Sequence, residues 1–294
     1  MARHISWEEA RSILRKLREE QVRDGDTVVQ LWESFLMEQS DKLGDESWMV
    51  HEQVCIAALD CQRLDLADAC IETLESKFPH SIRVQRLWGM YYEAEERYEK
   101  ADDMYQKIIE QDSTNMFARK RQVAILKAQQ KTTEAIEKLN EYLKKFMTDY
   151  EAWMELCDLY LEEHDYNNAA FCVEELIMSN PHNHLFHQKY AEIRYTQGGN
   201  DNMEQSRAYF SQAVKLNPNN TRALYGLFLA ATSLAMSTGK GLKEKQMNSK
   251  YAAWAAEQIV FKYKSYLSEE QLRDMRILES IEKMLESLNS SVGS

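Results

Sequence analysis

Between Ala152 and Pro181, apolar residues recur at helical spacing in two runs separated by a short polar break. Trp153, Leu156 and Tyr160 share one face; Tyr166, Ala169, Val173 and Leu176 follow, and Pro181 closes the stretch. The three-to-four spacing predicts two antiparallel helices joined by a turn. Trp153 and Tyr160 are large enough to fill the space between them, and the small Ala169 lets the second helix approach closely. Pro181 cannot supply a further helical N–H, so the second helix is expected to stop there. The unit recurs: Ala67, Ala101, Ala135 and Ala169 stand 34 residues apart, and so do Pro79, Ser113, Met147 and Pro181. Four positions in phase define a helical repeat scaffold.

The period and residue types match the tetratricopeptide pattern W-x2-L-G-x2-Y…A-x3-F…P, with Cys157 in the glycine place and Val173 in the phenylalanine place. The expected fold is all-α, a tetratricopeptide-repeat superhelix (α-solenoid) with N- and C-terminal capping helices. Residues 1–45 read as N-terminal capping helices, 46–218 as five repeats, and 219–294 as an irregular sixth helix pair with a C-terminal capping helix. At the start, Ser6 and Glu9 form a capping box, and Trp7, Ala10, Leu14 and Leu17 make one apolar stripe. A second helix is expected over Thr27–Gln39, with Val28, Trp32 and Phe35 inward, before the polar break Ser40–Asp45.

Repeat one covers Trp48–Pro79 and repeat two Ile82–Ser113, which carries Trp88-Gly89-x2-Tyr92, Tyr98, Ala101 and Tyr105. Repeat three, Met116–Met147, keeps Ala135 and Leu139 without the aromatic signature; repeat four is the stretch described first. Repeat five, His184–Pro218, has a three-residue excess assigned to the loop Gly198–Asn202. The sixth pair is expected near Thr221–Met236 and Lys250–Tyr263, with Ala252, Ala253, Ala255 and Ala256 allowing close packing and a mobile Ser237–Ser249 between them. A last helix, Glu269–Leu288, carries Leu272, Met275, Leu278, Ile281, Leu285 and Leu288 in a stripe that suits an end cap, or a partner helix.

Composition narrows the function. With 9 Gly and 3 Pro the chain has few turn-formers, so helix is favoured throughout, and a net charge of −12 argues against a general nucleic-acid binder. The five cysteines lack zinc spacing; Cys55, Cys157 and Cys172 fall at positions the repeat buries, as reduced core residues of a cytosolic protein. No leader segment or membrane-spanning run is expected, and the N-x-[ST] matches at Asn219 and Asn289 read as chance. His51-Glu52 has Cys55 where a metalloprotease motif needs its second histidine. His182, His184 and His187 do not align on one helix face, and Gly239-Lys240 lacks the rest of a phosphate loop. The reading is of a non-enzyme with no cofactor and no metal.

What remains is surface. In a right-handed stack of such pairs the first helices line the concave face. The repeat phase then places Met49, Glu52, Ile56 and Leu59 on it from repeat one, and Arg83, Arg86, Met90 and Glu93 from repeat two. Repeat three contributes Phe117, Lys120, Ala124 and Lys127; repeat four contributes Glu151, Met154, Asp158 and Leu161; repeat five contributes Leu185, Gln188 and Tyr195. Arg83, Arg86, Lys120 and Lys127 form a basic centre interleaved with Met90, Phe117, Met154 and Leu185, which suits an acidic or amphipathic peptide or a partner's C-terminal tail. Ordinary solvated helix charges are the alternative. The carboxylate clamp of chaperone-tail binders is absent, because its Lys and Asn places hold Glu52 and Ile56.

Several stretches, among them KLGDESW, EQVCIAALD, RVQRLWGMYYEAEERYEKA, ARKRQVAILKAQ and AWMELCDLYLEEHDYNNAAFCVEELIMSNPHNHLFHQKYAEIRYTQGG, closely resemble the family of subunit 2 of the endoplasmic-reticulum membrane protein complex. The similarity runs in order from about Trp7 to Ala256. It implies a non-catalytic scaffold, peripheral on the cytoplasmic side of the endoplasmic-reticulum membrane, in an insertase for tail-anchored and multipass proteins. It also implies partners: membrane subunits 3 and 5 of that complex and its soluble subunit 8 or 9, with no nucleic acid and no small-molecule substrate. A free-standing adaptor for client or chaperone tails is the alternative function.

Overall fold

The computed structural model describes residues 5–237 and 241–266, together with 279, 282 and 283. The described residues contain no strand, and the chain is an all-α tetratricopeptide-repeat protein. It divides into two compact units, Met1–Lys138 and Leu139–Ser294.

The first unit opens with α1 (Trp7–Glu19). Its capping box is present: the Glu9 N–H donates to Ser6 Oγ at 3.2 Å and the Ser6 N–H to Glu9 Oε2 at 2.9 Å. Ala10 and Leu14 are fully buried, with Trp7 and Leu17 packed beside them. The expected second helix is a composite. Helix α2 spans Gly25–Leu31, a turn of π-helix covers Trp32–Leu36, and a 3-10 stretch kinked at Gln39 and Gly44 covers Met37–Glu46. The π-turn widens the helix where Trp32 is buried, and the supposed polar break is itself partly helical. Helices α3 (Ser47–Asp60) and α4 (Leu64–Lys77), then α5 (Ile82–Ala94) and α6 (Tyr98–Gln111), form two hairpins, followed by α7 (Met116–Ala128). Helix α8 (Thr132–Lys145) contains the division between units.

The second unit continues with α9 (Tyr150–Glu162) and α10 (Tyr166–Ser179), α11 (His184–Gln197) and α12 (Asn200–Leu216), and α13 (Thr221–Met236) and α14 (Leu242–Tyr266). The repeat is written in the helix bounds. Helices α4, α6, α8 and α10 end at 77, 111, 145 and 179, whether Pro79, Ser113, Met147 or Pro181 follows. Each has stopped two residues before that position, so proline is not what stops it. The alanines set the packing: Ala67, Ala101, Ala135 and Ala169 are all at 0% exposure.

The turns are equally periodic. Gln62, Glu96, Gln130 and His164 adopt φ of 59°, 59°, 59° and 58°, and Gly198 follows at 73°. At each of the four non-glycine turns the next N–H reaches back to the helix, as from Arg63 to Ala58 O at 2.8 Å and from Asp165 to Tyr160 O at 2.8 Å. This Schellman closure satisfies carbonyls that the helix end would otherwise orphan. The side chains of Asn115, Asp149, Asn183 and Asn220 cap the starts of α7, α9, α11 and α13.

Two expected segments differ. The excess of repeat five does not lengthen the loop: only Gly198 and Gly199 separate α11 from α12, and α12 runs 17 residues where α10 runs 14. The polar stretch ahead of Lys250 is helical from Leu242, because Leu-Lys-Glu-Lys-Gln-Met favours helix once Gly241 has passed. Ala252, Ala255 and Ala256 are buried, whereas Ala253 is exposed. Gly239, Lys240 and the stripe Leu272–Leu288, apart from Glu279, Glu282 and Lys283, lie outside the described residues.

Candidate functional site: the grooves of the two units

The first unit carries an open groove of about 580 Å³, walled by α1, the turn after it, α2 and the first helices α3, α5 and α7. Met49, Glu52, Ile56, Arg83, Met90 and Phe117 stand on its wall, and Arg121, which the repeat phase omits, stands with them. Arg86, Lys120 and Lys127 do not line it. Leu59, also expected there, is buried in the core at 7% exposure.

Within the fold Arg83 and Arg86 of the expected basic centre share the single carboxylate of Glu52, which offsets one of their two charges. The Glu52 side chain, 13% exposed, accepts from Arg83 at 2.6 Å and from Arg86 at 3.1 Å. The Arg86 guanidinium also lies 4.9 Å from the Phe117 ring centroid, so it braces the wall from behind. Glu93 accepts two N–H groups of Arg121, Nε at 2.8 Å, and the Tyr105 hydroxyl at 2.6 Å. Burial, then the Glu93 charge, raises the pKa of the Tyr105 hydroxyl well above its ordinary value, keeping it protonated and a donor. Gly89 makes this arrangement possible, because a Cβ there would meet the Tyr105 ring at 2.6 Å. On the opposite wall Arg23 is paired with Asp60 at 2.5 Å. The site is a preorganised ion-paired cleft with an apolar floor of Ile56, Met90 and Phe117.

A single carboxylate fixes α1 beside it. Glu46, at 11% side-chain exposure, takes Arg11 at 2.6 Å, Arg15 at 3.0 Å and Arg18 at 3.1 Å. The Arg15 hydrogen bond leads in holding its pKa at about 2, against burial, with Arg11 adding to the effect.

In the second unit Leu161 and Tyr195 line a groove of about 460 Å³ with Tyr166, Ile193, Tyr225 and Leu229. Its charged groups are also paired: Lys189 on Asp158 at 2.6 Å and Arg222 on Glu192 at 2.5 Å. Met154, Leu185 and Gln188 are not on this wall. Leu185 is 55% exposed elsewhere, and the buried Gln188 donates to Glu192 at 2.9 Å while accepting from Asn220 at 2.8 Å. The α13 contribution was missed because α13 lies outside the 34-residue phase.

Histidines and cysteines serve the fold. His184 is engaged by Asn217 at 2.9 Å and Asn220 at 2.8 Å, and His187 Nε2 lies 2.8 Å from Pro181 O. Among the described residues no group of three His, Cys, Asp or Glu side chains is gathered as a metal site would require. Cys55, Cys70, Cys157 and Cys172 are buried, and burial raises the Cys157 thiol to about 11 and those of Cys70 and Cys172 to about 12. No helix among the described residues is long and apolar enough to cross a membrane.

Paired helices on a 34-residue period, with grooves lined by first helices, define a tetratricopeptide-repeat protein. A solved structure of the C-terminal part of a tetratricopeptide repeat-containing protein from Cytophaga hutchinsonii is similar at TM-score 0.58 and 15% identity, covering 87% of this chain and 94% of that chain. At this identity the likeness speaks for the fold alone. A family model described as the EMC2 TPR-like repeat domain matches residues 65–216. ER membrane protein complex subunit 2-A of Xenopus laevis is 48% identical over 285 residues, 97% of this chain and 95% of that protein. ER membrane protein complex subunit 2 of Dictyostelium discoideum is 32% identical over 283 residues, 92% of this chain and 87% of that protein. The chain belongs to the family of ER membrane protein complex subunit 2. That family is of the helical-repeat kind, not a known class of enzyme.

Proposed function

We propose that this chain is a non-catalytic scaffold subunit of an endoplasmic-reticulum membrane protein complex, peripheral to the membrane on its cytosolic side. It holds cytosolic segments of membrane subunits 3 and 5 and docks soluble subunit 8 or 9, in an assembly that inserts tail-anchored and multipass proteins. The observation that carries this reading is similarity over 97% of the chain to relatives bearing that subunit's name. The grooves support it physically. Their arginines are already fixed on carboxylates, so little side-chain order is lost when a partner segment arrives. The groove of the first unit suits a segment that lays apolar side chains on Ile56, Met90 and Phe117 and meets the outward N–H groups of Arg83, 68% exposed at its side chain.

The test is co-purification of the full chain from membranes solubilised in mild detergent. Recovery of an assembly containing integral membrane polypeptides is expected. Recovery only with soluble chaperones would overturn the scaffold reading in favour of the free-standing adaptor.

A further inference from the structure

Helix α14 buries one face and leaves another uncovered. Ala252, Ala255 and Ile259 are at 1%, 0% and 0% exposure, in the core that includes Leu227 and Phe228 of α13. Met247, Tyr251, Trp254 and Phe261 are 53%, 39%, 44% and 64% exposed. Their offsets of four, three and seven residues align them along the helix, roughly a third of a turn from the buried line. The stripe is ~21 Å long at the helical rise.

Its surroundings carry the opposite charge from the rest of the chain. Helix α14 holds five lysines (243, 245, 250, 262 and 264) against Glu244 and Glu257, a formal +3 in a chain of −12. On a helical projection Lys243, Lys250 and Lys264 flank one margin of the stripe with Glu257 among them, and Lys262 shares the other margin with Glu244. Lys264 is paired with Glu282 at 3.2 Å, so Lys243 and Lys250 carry the margin's positive excess. Exposed Trp, Tyr and Phe bordered by lysines are what a helix lying in a lipid headgroup layer requires. The rings have one apolar and one wet side, and the ammonium groups meet anionic headgroups. A groove-bound peptide would need concavity; this face is one helix at the end of the described hairpins.

We propose that the outer face of α14 is a direct contact surface for an anionic lipid bilayer, lying on the membrane without crossing it. This goes beyond the scaffold reading, which places the chain near a membrane only through its partners, and it is tested without the complex. The full chain is labelled with hydroxyl radicals, with and without vesicles of phosphatidylcholine plus phosphatidylserine, and with phosphatidylcholine alone. The expected result is that labelling of Met247, Tyr251, Trp254 and Phe261 falls several-fold with the anionic vesicles only, while Phe171 and Met178 on α10 are unchanged. Flotation of Trp254→Ser/Phe261→Ser and of Lys243→Glu/Lys250→Glu should fall about tenfold or more. All four residues are exposed, so unchanged helicity is expected in these variants.

No protection with vesicles, or protection outside α14, overturns the proposal. Low labelling of the stripe in the free chain would mean that another segment of this chain covers it. Labelling that falls with protein concentration alone would assign the face to a second copy. Protection that appears only in the assembled complex would assign it to a protein partner. Each of these overturns lipid contact and leaves the scaffold reading standing.

Discussion

Gly89→Ala probes the contact from which the first groove is built. A Cβ at Gly89 would sit 2.6 Å from two carbons of the Tyr105 ring and 2.9 Å from its hydroxyl, where ordinary contact begins at 3.4 Å. The ring is at 0% exposure and its hydroxyl is held on Glu93 at 2.6 Å, so it cannot give way without breaking that bond. Overpacking of this kind costs about 1–3 kcal/mol, and loss of a hydrogen bond to a charged group about 1.5–3 kcal/mol. Helix propensity returns about 1 kcal/mol when alanine replaces glycine. The net expectation is a loss of ~2 kcal/mol or more, read as a lower urea midpoint by circular dichroism. The control is the same substitution in a Tyr105→Leu background. With the ring gone the clash vanishes, and Gly89→Ala should be neutral or stabilising by up to ~1 kcal/mol. Equal cost in both backgrounds, or a stabilised single variant, would refute the reasoning. So would an Arg121 guanidinium that stays immobile in the single variant, because Arg121 is positioned through Glu93.

Three further outcomes follow from other parts of the molecule. Glu46 has its pKa lowered from 4.5 to about 2, so its contribution is fully present above about pH 4.5 and is lost as pH falls through 2. Discounted for the partly exposed arginines, Glu46→Gln should remove about 1–3 kcal/mol at neutral pH and flatten the stability profile between pH 4.5 and 2. Gln62→Gly and Gln130→Gly should each raise the unfolding free energy by ~0.5–1 kcal/mol, read as a higher urea midpoint, because both residues hold φ of 59°, where a side chain is strained. Arg83→Ala should change stability by less than ~0.5 kcal/mol yet reduce partner recovery in a pull-down, whereas Arg86→Ala should cost ~1–2 kcal/mol in a urea titration, because Arg86 braces both Glu52 and Phe117.

The helix pairs were legible because one small residue per unit, from Ala67 to Ala169, must lie where two helices touch, and touching leaves no freedom in spacing. Turns closed by Gln62 or His164 were not legible: their left-handed backbone is imposed by the hairpin, and neither residue type announces it. The π-turn at Trp32–Leu36 was hidden for the same reason, since a single bulge barely changes an apolar pattern. In the groove, repeat phase named Ile56 and Phe117, which stand on its wall, but said nothing of charge pairing. That Glu52 would pair with both Arg83 and Arg86 depends on contact between α3 and α5, which no spacing within one helix encodes. Arg121 was missed because Glu93 draws it to the wall from a neighbouring position.

The hairpin tip of repeat five has a practical consequence. There Gly198 and Gly199 turn the chain with φ of 73° and 82°, and a Cβ at either would meet nothing within 4 Å. Helix α12 starts immediately afterwards with an added three residues, and the chain still recovers its packing downstream, where Gly226 receives the Phe210 ring. The fold already tolerates a change of length at this corner. A fluorophore-bearing or affinity peptide spliced between the two glycines would report on the scaffold from outside the second unit's cleft.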